Sequence, residues 1–227
     1  MKKILLFSVV LACCGCVAQN LFDKQQNANT IMLLDDISDK APSEKIKGSS
    51  YVNEAFFPAM ISDYKDVVLV RYNAEKDEVE VQNSSTKAVF ILRKDERFGK
   101  ITSQNAAYTL KLFHYAEGGK PIYGYLAEVF SENGLSLLRR EKIRFQAERQ
   151  PKSSYDVYAP AQRIRVKDSY YLQLRSGAIV EMPNGKKALQ ELFSQQKEQI
   201  ADFLKTNDLS FKEEKDLITL ARFLSAF

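Results

Sequence analysis

From Val67 to Met182, apolar and polar residues alternate in short runs broken by turn-forming residues. A repeat of two side chains fits the pleat of a β-strand and not the 3.6-residue turn of a helix. Val67–Tyr72 (VVLVRY) and Glu78–Gln82 (EVEVQ) flank Asn73–Asp77, which predicts a hairpin. Lys87–Arg93 (KAVFILR) is almost continuously apolar, as in a strand covered on both faces. Tyr108–Tyr115 and Ile122–Phe130 flank a second turn over Ala116–Pro121. Ser131-Glu132-Asn133-Gly134 leads into Leu135–Phe145, and Asn-Gly marks a tight hairpin because both residues accept positive φ cheaply. Arg163–Val166, Tyr170–Leu174 and Ala178–Met182 follow, the last two joined through Ser176-Gly177. Strands arriving in order with short turns predict an antiparallel meander, sandwich-like or partly closed into a barrel. Strands do not alternate with long helices, which argues against a parallel α/β fold.

After Pro183 the period lengthens. Leu189, Leu192, Phe193, Ile200, Phe203 and Leu204 fall on one helical face, in a helix that Asn184 or Gly185 begins and Asn207-Asp208 ends. Ser210 with Glu213 predicts a capping box for a second helix striped by Leu217, Leu220, Phe223, Leu224 and Phe227. The pair reads as an αα-hairpin packed on the sheet. The expected fold is therefore mainly β (α+β), with a β domain over residues 51–183 and a helical hairpin over 184–227. That helical spacing also sets the terminal Phe227 apart from the aromatic-ended strand of a membrane barrel.

The first 18 residues read as a secretory signal: Lys2 and Lys3, an apolar run from Ile4 to Ala12, then small residues before a cut between Ala18 and Gln19. The apolar run is too short to span a bilayer, and no later stretch is apolar enough to do so. All three cysteines, Cys13, Cys14 and Cys16, lie inside this segment. The cut leaves a chain without disulfides, thiolate metal ligands or a cysteine nucleophile. Gly15-Cys16 and Ala12-Cys13 also carry the small-then-Cys pattern of lipoprotein signals, so a lipidated Cys16 or Cys13 is the alternative route, giving a membrane anchor in place of periplasmic or secreted release. Removing Lys2 and Lys3 takes the formal charge from +4 to +2, too thin a margin to imply a polyanionic partner. Residues 19–50 are polar and read as a leader or tether, apart from Ile31–Leu34, an apolar patch expected to dock as a helix turn.

Most chemistries fail on residue type. One histidine, His114, and no mature cysteine leave no zinc set of the usual kind. No loop has EF-hand spacing for calcium, and Asp35-Asp36 is too short. No Walker or Gly-x-Gly-x-x-Gly loop cradles a phosphate, so no nucleotide site and no cofactor are expected. There is no Gly-x-Ser-x-Gly elbow. Ser62-Asp63-Tyr64-Lys65 has the Ser-x-x-Lys form, but its companion boxes are missing and Lys205-Thr206-Asn207 only approaches one of them. His114 reads as a strand-end histidine near the surface. Glu75, Asp77, Glu78 and Glu80 surround a hairpin and read as a solvated loop, although a carboxylate pair meeting in space stays open as a route to hydrolysis.

The remaining feature is basic. Arg140, Lys142 and Arg144 share one parity on a strand, and Arg163, Arg165 and Lys167 share one parity on another. If the two strands are neighbours, six cations face one side, with Tyr155, Tyr158, Tyr170 and Tyr171 nearby in sequence. Such a face suits an anionic envelope glycan, a lipid headgroup or a nucleic acid, against the plainer alternative of a solvated face balanced by Glu141 and Glu148.

Gly48-Ser49-Ser50-Tyr51-Val52-Asn53-Glu54 and Arg71–Val81 (RYNAEKDEVEV) resemble stretches early in uncharacterised exported proteins of Bacteroidetes-type bacteria, as does the Val17-Ala18-Gln19 cleavage region. The resemblance implies an envelope location and no activity. The expected function is a non-enzymatic exported binding module. The alternatives are a carrier holding a hydrophobic ligand in a barrel-like interior and a carboxylate-based hydrolase.

Overall fold

The computed structural model describes residues 34–36, as backbone only, 46–62, 64, 66–153 and 155–227. The expected signal, with Cys13, Cys16, Ala18 and Gln19, lies outside the described residues, as do Asp63 and Lys65 of the Ser-x-x-Lys segment. Among the described residues the alternating runs form β1 (Leu34–Asp36), β2 (Phe57–Ile61), β3 (Val68–Asn73), β4 (Glu78–Gln82), β5 (Val89–Leu92), β6 (Lys100–Ser103) and β7 (Thr109–Glu117). They continue with β8 (Lys120–Glu132), β9 (Leu135–Arg140), β10 (Ile143–Gln146), β11 (Gln162–Arg165), β12 (Ser169–Gln173) and β13 (Ile179–Glu181). Eleven strands join one antiparallel sheet in the order β1-β5-β4-β3-β2-β6-β7-β8-β9-β12-β13. The other two, β10 and β11, form a separate ribbon inserted between the neighbours β9 and β12. The fold is mainly β and antiparallel, as the alternation predicts. Its hairpins turn where expected: Asn133 and Gly134 both take positive φ between β8 and β9, as Gly118 and Gly119 do between β7 and β8.

One face of the sheet is apolar from β5 through β8. In register, Leu92 lies opposite Val79, Val79 opposite Tyr72, Ile61 opposite Ile101, Leu110 opposite Ala127 and Leu112 opposite Tyr125. All are buried in a single core. Tyr72 on β3 and Tyr125 on β8 are four strand steps apart, yet their rings meet edge-on at 6.2 Å. The sheet therefore curls into a half-barrel around this core.

The curl is locked by Asp77 in the β3–β4 turn. Its Oδ1 accepts hydrogen bonds from Tyr72 Oη (2.8 Å), Arg140 Nη1 (2.8 Å) and the Tyr125 N–H (3.1 Å). Its Oδ2 accepts from Lys94 Nζ at 2.8 Å. One carboxylate thus ties β3, β8, β9 and the segment after β5 together. The Ile143 N–H, donating to the Ala74 carbonyl at 3.1 Å, adds the start of the ribbon. The solvated acidic loop expected here is corrected: Asp77 is 7 % exposed and Glu80 4 %.

Glu80 is buried because residues 46–56 cross the back of the β3–β4 hairpin. It accepts from Arg71 Nη2 (2.6 Å) and from Tyr51 Oη (2.8 Å), and the Arg71 guanidinium stacks between Tyr51 and Phe56, 3.7 and 4.3 Å from their ring centres. Ser50 donates to Glu75, and Lys47 bridges to Gln162 on β11. The end of the expected tether is thus part of the fold, and β1 adds backbone to its edge beside β5. Two further expectations change. Lys87 and Arg93 are exposed and β5 is only partly buried, so its apolar run is not covered on both faces. The single strand expected over 135–145 breaks at Glu141-Lys142 into β9 and β10.

Beyond the half-barrel, a bulge between Glu128 and Phe130 shifts the parity of β8. Phe130, Leu137 and Leu172 then line the same face and carry a second core, covered by the C-terminal helices. These are α1 (Lys186–Leu192), α2 (Lys197–Thr206) and α3 (Glu214–Leu224), so the first expected helix is interrupted after Leu192. Gly185 and Asn207 bound α1 and α2 as anticipated. The Ser210–Glu213 capping box does not form. Residues 210–212 are outside the helix, Glu213 is its N-cap, and the Asp216 carboxylate reaches back to the Ser210 N–H at 3.0 Å. A third cluster, Tyr115, Leu126, Leu138 and Tyr171, lies on the opposite face of the sheet.

Gly124, beside Asp77 on β8, has no room for a side chain, because a Cβ there overlaps Asp77 Oδ2. The Asp77 carboxylate is held by four donors and cannot yield without breaking them. Gly124→Ala is expected to destabilise the fold by about 2–3 kcal/mol. Urea unfolding followed by circular dichroism checks this, and an unchanged midpoint contradicts it.

Candidate functional site

The two cores share one sheet face, and the seam between them is polar. Arg139 sits there, opposite Ala127 on β8 and Tyr170 on β12. Its two terminal nitrogens bridge the cores: Nη2 donates to Glu141 at 2.8 Å and Nη1 to Glu214 on α3 at 2.7 Å. Tyr108 donates to the other Glu141 oxygen at 2.6 Å, and Tyr170 donates to Glu214 at 3.1 Å. Asp168 approaches Arg139 at 3.8 Å and Arg165 at 3.1 Å. Glu141 is 4 % exposed, so its charge is sustained by these partners and not by water.

A cavity of about 400 Å³ opens at this seam. Val52, Phe57, Ala107 and Tyr108 give it apolar walls, with Phe57 and Tyr108 meeting edge-on at 5.9 Å. Asn53, Ser103 and Asn105 supply neutral polar groups, and Arg139 and Glu141 also line it. These last two are paired with each other, so neither stands as a free charge in the cavity. Burial, and then the adjacent Glu141 carboxylate, push the Tyr108 hydroxyl far above the ordinary tyrosine range. It stays protonated and acts as a donor.

The six cations singled out in the sequence do not share a face. Arg140 is buried, donating to Asp77, Tyr72 and the Tyr125 carbonyl. Lys142 pairs with Glu117 at 2.9 Å, Arg163 with Glu75 at 2.7 Å and Arg165 with Asp168. On the ribbon, Arg144 lies opposite Ile164, while Arg163 and Arg165 lie opposite Phe145 and Ile143, on the other face. Lys167 is exposed at the rim of a separate open cleft of about 550 Å³. The parity argument required β9 to run unbroken into β10 beside β11, whereas β9 pairs with β12.

That cleft is lined by Glu117, Asp168 and Glu181, and each carboxylate is engaged: the first by Lys142, the second by Arg165, the third by the Gly118 N–H at 2.6 Å. His114 is exposed, stacked on Tyr123 with ring centres 4.1 Å apart, and its Nε2 lies 4.0 Å from Glu96. Ser62 takes a positive φ and is bonded to the backbone of Lys100. Among the described residues no three His, Cys, Asp or Glu side chains gather as metal ligands, and no helix is long and apolar enough to cross a membrane.

The chain matches no family model, no curated protein and no solved structure. The site therefore rests on its own geometry. Sequence reasoning passed over Arg139, Tyr108 and the pairing of Glu141. The available signal was Arg139-Arg140-Glu141-Lys142 between apolar Leu138 and Ile143: four charges in a row at the end of a strand that packs on both sides.

Several tyrosine hydroxyls carry the polar structure as donors. Burial and then Glu80 raise Tyr51 to about 12, and burial and then Glu214 raise Tyr170 further. A raised folded value means stability that is complete below the ordinary value of 10 and is lost as pH rises through the folded one. The fold is expected to weaken steadily from pH 10 toward 12, with tyrosinate absorbance of the buried tyrosines appearing together with unfolding. All eleven tyrosines ionising reversibly near pH 10 in folded protein contradicts this.

Proposed function

We propose that this protein is an exported, non-enzymatic binding module that takes a small neutral ligand, apolar along its body and hydrogen-bonding at one end, in the seam cavity of the half-barrel. The single supporting observation is the cavity's chemistry. Its apolar walls suit a hydrophobic body, and its charged lining is an Arg139–Glu141 pair with neither member free for an ionic ligand. Its volume lies within the range of small-molecule sites. The residue pattern of positions 1–18 supports export, to the periplasm or beyond, with a lipidated Cys16 or Cys13 as the anchored variant. Resemblance to exported Bacteroidetes-type proteins supports an envelope setting.

Binding is preferred to hydrolysis because the carboxylates at the seam, Glu141 and Glu214, are committed to arginine and tyrosine partners, which leaves neither poised to move a proton. The glycan or headgroup reading of a six-cation face loses its support with the dispersal of those cations.

Nile red, a neutral apolar dye, tests the cavity. The wild-type chain is expected to bind it with enhanced, blue-shifted emission. Ala107→Trp, which places a large side chain at an exposed lining position, is expected to weaken binding at least about tenfold with an unchanged unfolding midpoint. Dodecanol should displace the dye better than dodecanoate. Equal binding by both chains, or preference for the carboxylate, contradicts the proposal.

A further inference from the structure

Six large apolar side chains stand well out in solvent among the described residues, and four of them, Phe145, Tyr155, Val157 and Tyr158, belong to the β10–β11 ribbon. Tyr155 is 99 % exposed and Val157 76 %. The ribbon is an excursion between two strands that pair directly with each other, so the sheet does not need it for its own continuity. Its two sides are nonetheless tied to each other. Arg149 and Ala159 bridge across it with backbone bonds of 2.8 and 3.0 Å, and Asp156 accepts from Arg149 and from the Lys152 N–H. Its two carboxylates are both engaged, Asp156 by Arg149 and Glu148 by the Tyr158 hydroxyl. Arg144 and Lys152 are exposed and have no carboxylate partner among the described residues.

We propose that this ribbon is a membrane-docking arm, seating Tyr155 and Val157 in the interfacial layer of an anionic bilayer with Arg144 and Lys152 among the headgroups. The exposed parts of four side chains fall short of the roughly 800 Å² per partner that a stable protein interface buries. Partition into a bilayer surface has no such threshold. It grows with each buried apolar group and each cation near the anionic surface, and tyrosine favours that depth. The arm is separate from the seam cavity, and the inference does not depend on a ligand there.

The chain contains no tryptophan, so Tyr155→Trp installs a single reporter at the tip of the arm. Val67→Trp, at a half-exposed position beside β3, is the control. With vesicles of phosphatidylcholine and phosphatidylglycerol, the indole at 155 is expected to shift to the blue and to be quenched by brominated lipid, while the indole at 67 does neither. Because the readout is local, binding through any other segment does not imitate it. Replacing Arg144 and Lys152 by Gln should weaken the response about thirtyfold, and phosphatidylcholine alone should give little. An emission at 155 that ignores vesicles overturns the proposal, even where the protein sediments with them. A shift that follows protein concentration without lipid also overturns it, and assigns the arm to a second copy of the chain.

Discussion

The Asp77 carboxylate accepts four hydrogen bonds, from Tyr72, the Tyr125 N–H, Arg140 and Lys94, at a point where a curled sheet would otherwise gape. An open sheet of this length has a choice of curvatures. Hydrophobic burial favours many of them about equally, because it is roughly proportional to area and has no direction. A buried charge does have direction. Arg140 is buried and is stable only where a carboxylate meets it, so the pair selects the one curvature that brings the β3–β4 turn against β8 and β9. Removing one partner strands the other, a cost on the order of 3–5 kcal/mol. The turn is shaped for this: Asp77 holds φ at 60°, and Asn73 accepts the N–H groups of Glu75 and Lys76.

The seam depends on the same closure. With β9 held by Arg140 on one face of the sheet, its neighbour Arg139 points to the other face, between the half-barrel core and the helical core. There it bridges Glu141 to Glu214 of α3. Adjacent arginines on one strand thus fasten two different layers, and the second of them pairs the carboxylate that lines the cavity at the seam. The membrane arm leaves the sheet directly after, at Glu141-Lys142, where β9 ends.

Much of this was legible from residue patterns. The hairpins of β3–β4, β7–β8, β8–β9 and β12–β13 follow from alternation and turn residues, because both are local properties. β2 and β6 were not foreseen: FPAMI and KITS are too short to show a period. The burial of Asp77 and Glu80 was not foreseen either, since their partners lie as far as 63 residues away in sequence. The parity expected for Arg140, Lys142 and Arg144 fails because their strand breaks at Glu141-Lys142, and on the β10–β11 ribbon the register puts Arg144 on the face opposite Arg163 and Arg165. Pairing is a long-range fact that parity does not contain. The stretches 48–54 and 71–81 touch each other through Tyr51, Arg71 and Glu80. What looked like two motifs is one structural clasp, and it explains why a segment that reads as tether is folded.

A double-mutant cycle on Asp77→Ala and Arg140→Met, measured by urea unfolding, tests the closure most directly. If the pair sets the curvature, each single change should cost about 3 kcal/mol or more, and the double far less than their sum, with a coupling of at least about 2 kcal/mol. Costs that add within about 0.5 kcal/mol would mean that the two groups stabilise the fold independently and that the half-barrel closes for another reason.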